Sequence, residues 1–311
     1  MTSEFLHRPV LLEQVLEALN IDPLGIYVDG TFGRGGHAEF ILQQLSPQGR
    51  LLAIDKDPEA VAEARRRFGQ DQRFAIEKGA FAMLERLIDS RGWTGKVNGI
   101  LLDLGVSSPQ LDDAKRGFSF RLDGPLDMRM DPDTGMSAAE WLAGASEKEI
   151  ASVLKEFGEE RFSKRIARAI VRQREQAPIM TTSQLAAIVA AANPSWERNK
   201  DPATRSFQAI RIFINHELED LQACLEQTVR LLAPGGRLAV ISFHSLEDRI
   251  VKRFIRRQVK GDELPPDLPV TQAELHPTMR AVGKAIHPDE KEIAANPRAR
   301  SAILRIAERL A

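Results

Sequence analysis

At 311 residues the chain is longer than one typical domain core requires, and its 43% apolar and 28% charged composition is that of a globular protein in water. A formal net charge of -1 excludes a uniformly basic coat for nucleic acid, so any contact with a polyanion has to come from local runs. The single cysteine, Cys224, excludes an internal disulfide and a thiolate zinc cluster, and its setting LEDLQACLEQTVRLL predicts a core position on an amphipathic helix. The opening MTSEFLHRPV lacks the basic start and apolar block of a signal peptide, and no apolar run approaches the roughly 20 residues of a membrane span. A cytoplasmic protein with no membrane partner is expected.

VLLEQVLEAL at 10–19 has helical apolar spacing. Short β-like runs then alternate with helical ones: GIYVD, AEFILQQL, RLLAID, PEAVAEARRRF, RFAIEKG, MLERLID, VNGILLD. That rhythm predicts an α/β fold with a parallel sheet covered by helices on both faces. Pro58 after Asp57 suits a first helical turn capped by Asp57, so the second strand should end near Asp55. After Asp103 the rhythm changes. From 112 to 213 only helices and loops are predicted, among them SEKE at 146–149 as a capping box, then RFSKRIARAIVRQR and TTSQLAAIVAA. This predicts an inserted all-helical domain at 112–213 within a core formed by 1–111 and 214–311. A long helical pattern ends at Pro234-Gly235-Gly236, RLAVISF follows as a strand, SLEDRIVKRFIRR as a helix and SAILRIAE as a last strand. KGDELPPDLPVTQAEL, polar and proline-rich, reads as a loop.

The glycines of GTFGRGGH at 30–37 stand where the first strand meets the next helix, and their ordering is entropically costly. A strand running into glycines and then a helix points backbone N–H groups and a helix N-terminus at a ligand. Asp55, ending the second strand about 20 residues beyond Gly35, can accept the hydroxyl hydrogens of a ribose. Together they predict an adenine-nucleoside cofactor. Gly33, Gly35 and Ala38 also satisfy the G-x-G-x-x-G/A pattern of nicotinamide enzymes, so this loop alone leaves the cofactor open. DLGVSSPQ at 103–110 adds Asp103, Ser108, Pro109 and Gln110 at the carboxyl edge of the sheet, a set that suits an amino-group substrate, though Ser-Ser-Pro also closes strands as an ordinary turn. A nucleobase amine is a poor nucleophile; acceptors holding its N–H groups favour in-line attack on a methyl sulfonium centre. Histidines and acids show no metal-ligand spacing, so no metal is expected.

HRPVLL at 7–12, DGTFGRGGH at 29–37, AIDKD at 53–57, LLDLGVSSPQLD at 101–112, RGFSFRLDGPLDMRMD at 116–131, ISFHSLEDRIVK at 241–252 and NPRARSA at 296–302 together resemble the ribosomal RNA small subunit methyltransferase H family over nearly the whole chain. The resemblance implies a Rossmann-like class I methyltransferase sheet interrupted by a substrate-recognition insertion. It implies S-adenosylmethionine as cofactor and transfer of its methyl group to the N4 amine of a cytidine in bacterial 16S rRNA, near the ribosomal P site. It also implies cofactor contacts from Gly35, Gly36, His37, Asp55, Phe81, Asp103 and Gln110. Two departures stand out: DGTFGRGG is one residue out of step with the commoner acid-x-G-x-G-x-G loop, leaving Asp29 without its usual role, and Ser108-Pro109-Gln110 lacks the second proline and the aromatic of many amino-methyltransferases. Phe118, Phe120 and Phe243 are then the candidates to stack on a target base. His244, after Phe243, is a candidate for positioning or proton acceptance, or for hydrogen-bonding a loop.

RFSKRIARAIVRQR carries no acid and lines Arg161, Lys164, Arg165, Arg168 and Arg172 along one helical stripe; RIVKRFIRRQVK at 249–260 repeats the feature with Lys252 and Arg253. One such run is commonly a solvated face. Two of them predict phosphate contacts from Arg165, Arg168, Arg172, Lys252 and Arg253, with 16S rRNA within the small ribosomal subunit as the expected partner and the active site expected between the two domains. Methylation of another amino group, a nicotinamide oxidoreductase and a non-catalytic RNA-binding assembly factor remain open alternatives on sequence grounds.

Overall fold

The computed structural model describes residues 9–195, 201–261 and 275–311. The loop predicted over 260–275 therefore lies almost wholly outside the described residues, as do the first two residues of HRPVLL. The chain divides into two compact units, residues 1–105 with 218–311, and residues 106–217. These boundaries differ from 112 and 213 because the second unit begins directly after the fourth strand and ends where a helix starts.

In the first unit β1 (Ile26–Asp29), β2 (Arg50–Asp55), β3 (Phe74–Lys78), β4 (Val97–Asp103) and β5 (Leu232–Ser242) run parallel. β6 (Met279–Ala281) and β7 (Ile303–Arg309) complete a sheet of order β3-β2-β1-β4-β5-β7-β6. The sheet is mixed rather than all parallel: β7 pairs antiparallel with β5, and β6 antiparallel with β7. Hydrophobic patterning reports a strand's burial but not its direction, and the three-residue β6 leaves no periodic trace.

Both faces of the sheet are buried, which explains the nearly continuous apolar strands. Leu51, Leu101 and Ala239 pack with Val15 of α1 (Leu12–Leu19), Ile41 of α2 (Gly36–Gln44) and Ala60 of α3 (Pro58–Phe68). Their strand neighbours Leu52, Leu102 and Val240 turn the other way, onto Leu84 of α4 (Leu84–Asp89), Cys224 of α11 (Glu217–Leu231) and Val251 of α12 (Ser245–Lys260). Burial pushes the Cys224 thiol far up, consistent with a packing role. Asp57 caps α3 by accepting Glu59 N–H at 2.9 Å, with Pro58 as its first residue, and β2 ends at Asp55 as the sequence predicts.

The junction of α11 and β5 departs from expectation. The helix stops at Leu231 and the strand begins at once: Leu232 pairs with Val97, and the ladder resumes at Gly99 with Arg237. Pro234-Gly235-Gly236 thus bulges from within the strand rather than preceding it.

The second unit is helical: α5 (Ser108–Asp112), α6 (Ala138–Gly144), α7 (Glu147–Gly158), α8 (Ser163–Gln176), α9 (Thr182–Ala192) and α10 (Thr204–Asn215). Ser146 and Glu149 form the predicted capping box. Trp141, Ile150, Leu154, Ile166, Ile170, Leu185, Val189 and Ile210 form its own core. The segment 116–131 is held by buried polar groups. Arg116 donates to the Arg129 and Met130 carbonyls, while Asn215 accepts Met130 N–H and donates to the Met128 carbonyl, both at 2.7 Å. Among the described residues no helix is long and apolar enough to cross a membrane.

Candidate active site

β1 is flanked by β2 on one side and β4 on the other, so the strand order reverses beside it, and ligands of open α/β sheets bind at that point. The chain leaving β1 there is the glycine loop. Gly30 N–H donates to the Leu101 carbonyl at 2.9 Å and Phe32 N–H to the Ile54 carbonyl at 3.1 Å, which lashes the loop to β4 and β2. Gly33 and Gly35 adopt φ of 57° and 75°, a left-handed region costly for any residue with a Cβ. A side chain at Gly35 would also meet Phe32 Cζ at 2.5 Å, and one at Gly36 would meet Pro9 Cγ at 2.5 Å. Gly30 likewise leaves no room: its missing Cβ would lie 2.6 Å from Leu102 Cδ2 and 3.4 Å from Phe81 Cβ, bringing Phe81 against the end of β1.

Asp55 stands at the carboxyl end of β2. Its Oδ2 accepts Gly33 N–H at 2.7 Å and its Oδ1 accepts Asp57 N–H at 2.9 Å. Each carboxylate oxygen retains a lone pair, so a pair of vicinal hydroxyls can still be accepted. Burial pushes its carboxyl up to about 7, against the opposing pull of those two backbone donors.

The third element is a cluster across β1, α2 and β4. His37, 6% exposed, holds its Nε2 3.6 Å from Asp103 Oδ2. Neither ring nitrogen of His37, nor Asp103 Oδ1, has a hydrogen-bond partner among the described residues. Thr31 ties the cluster together: its Oγ1 accepts Asp103 N–H at 2.6 Å while its own N–H donates to Asp29 Oδ1 at 3.1 Å. Asp29 is 1% exposed, and burial pushes its carboxyl up to about 6, with His37 pulling the other way. The offset glycine pattern leaves Asp29 without a role, yet the structure brings it into the cluster; Thr31 lies within the DGTFGRGGH motif but has no role assigned there. Buried polar atoms are nearly always paired, so unpaired ones on α2 and β4, side by side, mark where a polar ligand completes the site. The glycine cradle, the Asp55 carboxylate and these orphaned atoms fit an adenosyl cofactor carrying an amino-acid group.

At the end of β5 the chemistry is different. Glu247 Oε2 accepts Phe243 N–H at 2.8 Å and His244 N–H at 3.2 Å, and His244 Nδ1 accepts Glu247 N–H at 3.5 Å, capping α12. His244 Nε2 lies 3.0 Å from Glu247 Oε1, so both ring nitrogens face one carboxylate residue. The Nδ1 cap fits the hydrogen-bonding reading of His244, while its Nε2 is buried with no hydrogen-bond partner among the described residues. Histidine is an unusual cap, which hides that role in the sequence. Phe243 is half-buried on the Asp103 face of the sheet, and a side chain at Gly105 would sit 3.9 Å from its Cδ2.

Ser108, Pro109 and Gln110 lie in the second unit, in the first turn of α5. Gln110 is buried and its Oε1 accepts Ser107 N–H at 2.9 Å, so the Ser-Ser-Pro segment is a helix start rather than a plain turn. Phe118 and Phe120, the other two candidates for base stacking, lie in the helical unit. Phe118 is 6% exposed in the helical core, and Phe120 meets Phe207 edge-on with centroids 5.0 Å apart in the same core. Of the basic stripe, Arg161 just before α8 and Lys164, Arg165, Arg168 and Arg172 on it are exposed, Arg168 standing 3.5 Å from Glu147. Arg174 is instead turned in, onto the Leu142 and Ala145 carbonyls at 2.5 and 2.6 Å. On α12, Lys252 and Arg253 are exposed, whereas Arg257 pairs with Glu226.

A doubly wound sheet with an antiparallel β7, a glycine loop at the switch point and carboxylates ending β2 and β4 defines a Rossmann-like class I methyltransferase. The model of the MraW methylase family matches residues 4–310, and the chain belongs to that family. It is an S-adenosylmethionine-dependent methyltransferase. Ribosomal RNA small subunit methyltransferase H of Thioalkalivibrio sulfidiphilus (strain HL-EbGR7) is 63% identical over 306 residues, covering 98% of each chain. The protein of the same name from Nitrosococcus oceani is 60% identical over 304 residues, covering 97% of this chain and 96% of its own. A solved rRNA methylase from Streptococcus thermophilus superposes with a TM-score of 0.42 at 12% identity, over 96% of this chain and 94% of its own.

Proposed function

We propose that the chain methylates the N4 amine of a cytidine in bacterial small-subunit (16S) rRNA. The observation that carries this reading is Asp103: a carboxylate at the end of β4, beside the glycine loop, with Oδ1 buried and unpaired. S-adenosylmethionine, when bound, supplies an electrophilic methyl group on a sulfonium. Gly35, Gly36, His37, Asp55, Phe81, Asp103 and Gln110 hold that cofactor, with Asp55 accepting the ribose hydroxyls. A carboxylate that accepts an amine N–H fixes the nitrogen lone pair toward an electrophile, and Asp103 does this together with Ser108 and Pro109. His244, through its cap, fixes the backbone that presents Phe243, the one candidate base platform outside the helical core. The names of the relatives at 60–63% identity and the two exposed basic stripes support RNA as substrate. Arg165, Arg168, Arg172, Lys252 and Arg253 contact its phosphates, and a small-subunit substrate makes the protein cytoplasmic on this reading.

The test is transfer of labelled methyl from S-adenosylmethionine to small-subunit rRNA, duplex DNA and a glutamine peptide in parallel, followed by nucleoside digestion. Label in N4-methylcytidine from rRNA alone is the expected result. Label confined to DNA or peptide would move the substrate, and no transfer to any of them would remove the reading.

A further inference from the structure

The turn that carries Phe81 has no cap of its own, and a residue far along the chain supplies one. β3 ends at Lys78, the ladder partner of Asp55, and the next residue, Gly79, donates its N–H to the Asp55 carbonyl at 2.8 Å. The chain then passes through a 3-10 turn, Phe81–Met83, directly into α4. A Cβ at Gly79 would lie 2.8 Å from Met83 Sδ, so the turn folds closely back over the end of β3. Phe81 is thereby held half-buried at the same sheet edge as the Asp55 carboxylate.

Ala80 precedes the 3-10 turn and Met83 precedes α4, and neither gives a side-chain cap hydrogen bond. The first N–H groups of a helix have no partner within it, so a cap has to come from elsewhere. Gln227 of α11 provides it. Its Oε1 accepts Glu85 N–H at 2.8 Å, and its Nε2 donates to the Ala82 carbonyl, also at 2.8 Å. One amide thus ties the turn and the helix start together, and both of its ends are satisfied. These bonds span 142 and 145 positions of sequence, so no local pattern announces them.

α11 is a firm anchor for this cap. Leu221, Cys224 and Leu225 are buried in one cluster with Leu84, and Phe81 and Met83 pack against it. Two turns before Gln227, Asp220 pairs with Lys56, the residue that follows Asp55. One helix therefore braces the chain leaving β2 and the chain leaving β3. We infer that Gln227 is a positioning residue for the adenine of the cofactor, acting through the turn that aims Phe81. With the ribose hydroxyls on Asp55, the base extends toward β3, the outermost strand, and meets the Phe81 ring as a stacking face. Gln227 itself touches no part of the cofactor. This rests on the reading above that Phe81 holds the cofactor.

The test is a double-mutant cycle on the full chain, read by calorimetry with S-adenosylhomocysteine, the demethylated cofactor. Gln227→Ala should raise Kd by about 3- to 10-fold, the scale of one hydrogen bond's worth of positioning. Phe81→Ala should raise it by at least as much. Gln227→Ala added to Phe81→Ala should change Kd by less than about 2-fold, because no ring is left to aim. Gln227→Glu, whose carboxylate accepts from Glu85 N–H but cannot donate to the Ala82 carbonyl, should fall between Gln227→Ala and wild type. Cooperative unfolding in denaturant checks that each variant is folded; where Gln227→Ala is not, Gln227→Glu takes its place in the cycle. Wild-type affinity in Gln227→Ala, or its full loss repeated on the Phe81→Ala background, would overturn the positioning role and leave Phe81 in the site. Wild-type affinity in Phe81→Ala would overturn the Phe81 reading and the inference together.

Discussion

Two loops of this protein are equally conspicuous in sequence and opposite in physical character. The glycine loop 29–37 surrounds buried polar atoms that lack partners, and its neighbouring carboxyls at Asp29 and Asp55 are pushed up to about 6 and about 7 by burial. The segment 116–131 is tied down by Arg116 and Asn215, whose bonds go to its own backbone carbonyls and N–H groups. The first is destabilised at the points where a ligand would relieve it. The second spends its polar groups on holding a shape, including Met128 in a left-handed conformation at φ 64°. A conspicuous motif is therefore not evidence of chemistry; unpaired buried atoms and raised carboxyls are what separate the two.

The contrast breaks if the loops respond alike to substitution. Asn215→Ala removes bonds to Met128, Met130 and Arg211 and should cost about 2 to 4 kcal/mol of stability in denaturant unfolding, with S-adenosylmethionine affinity unchanged wherever the protein is folded. A weakened cofactor with full stability would make 116–131 part of the site instead.

Asp55→Ala should do the converse, lowering cofactor affinity by about 1.5 to 3 kcal/mol in calorimetry while stability holds or rises, because a carboxylate with a burial cost is removed. The pH dependence sharpens this. A carboxyl raised to about 7 in the folded chain binds its proton more readily than in the unfolded chain, so its contribution to stability is present below the ordinary carboxylate range and is lost as pH rises through about 7. Ribose hydroxyls need the ionised form, so cofactor affinity should climb with pH up to about 7 and then level. Asp55→Asn should flatten both profiles; a profile identical to wild type would assign the titration elsewhere.

The smallest effect is expected on the surface of α8. Arg165, Arg168 and Arg172 replaced together by Ala should make the salt dependence of rRNA binding shallower by up to about 0.7 to 0.9 per lost phosphate contact, with cofactor affinity and stability unmoved. An unchanged slope would return this stripe to an ordinary solvated face and leave Lys252 and Arg253 on α12 as the leading contacts.

The alternation of strand and helix, the Asp57 cap and the position of Asp55 were legible because each depends on neighbours within a few residues. The antiparallel β7 was not, since apolar patterning is blind to direction, and the bulge at Pro234–Gly236 was not, since it is imposed by pairing with β4. In the site, the loop and Asp55 were visible as local signals. The approach of His37 to Asp103 and the bridging by Thr31 join residues distant in the chain, and only the sheet brings them together. For Phe118 and Phe120 the sequence could not separate the two roles, because an aromatic that packs a core and one that stacks on a base have the same letter.

The most direct measurement is nucleoside analysis of small-subunit rRNA from cells that lack this protein and from the same cells supplied with the wild-type chain or with Asp103→Ala. N4-methylcytidine should be absent without the protein, restored by wild type, and not restored by an Asp103→Ala chain that still accumulates as folded protein. Unaltered nucleosides in its absence, or full restoration by Asp103→Ala, would contradict the assignment of methyl transfer to the sheet edge at Asp103.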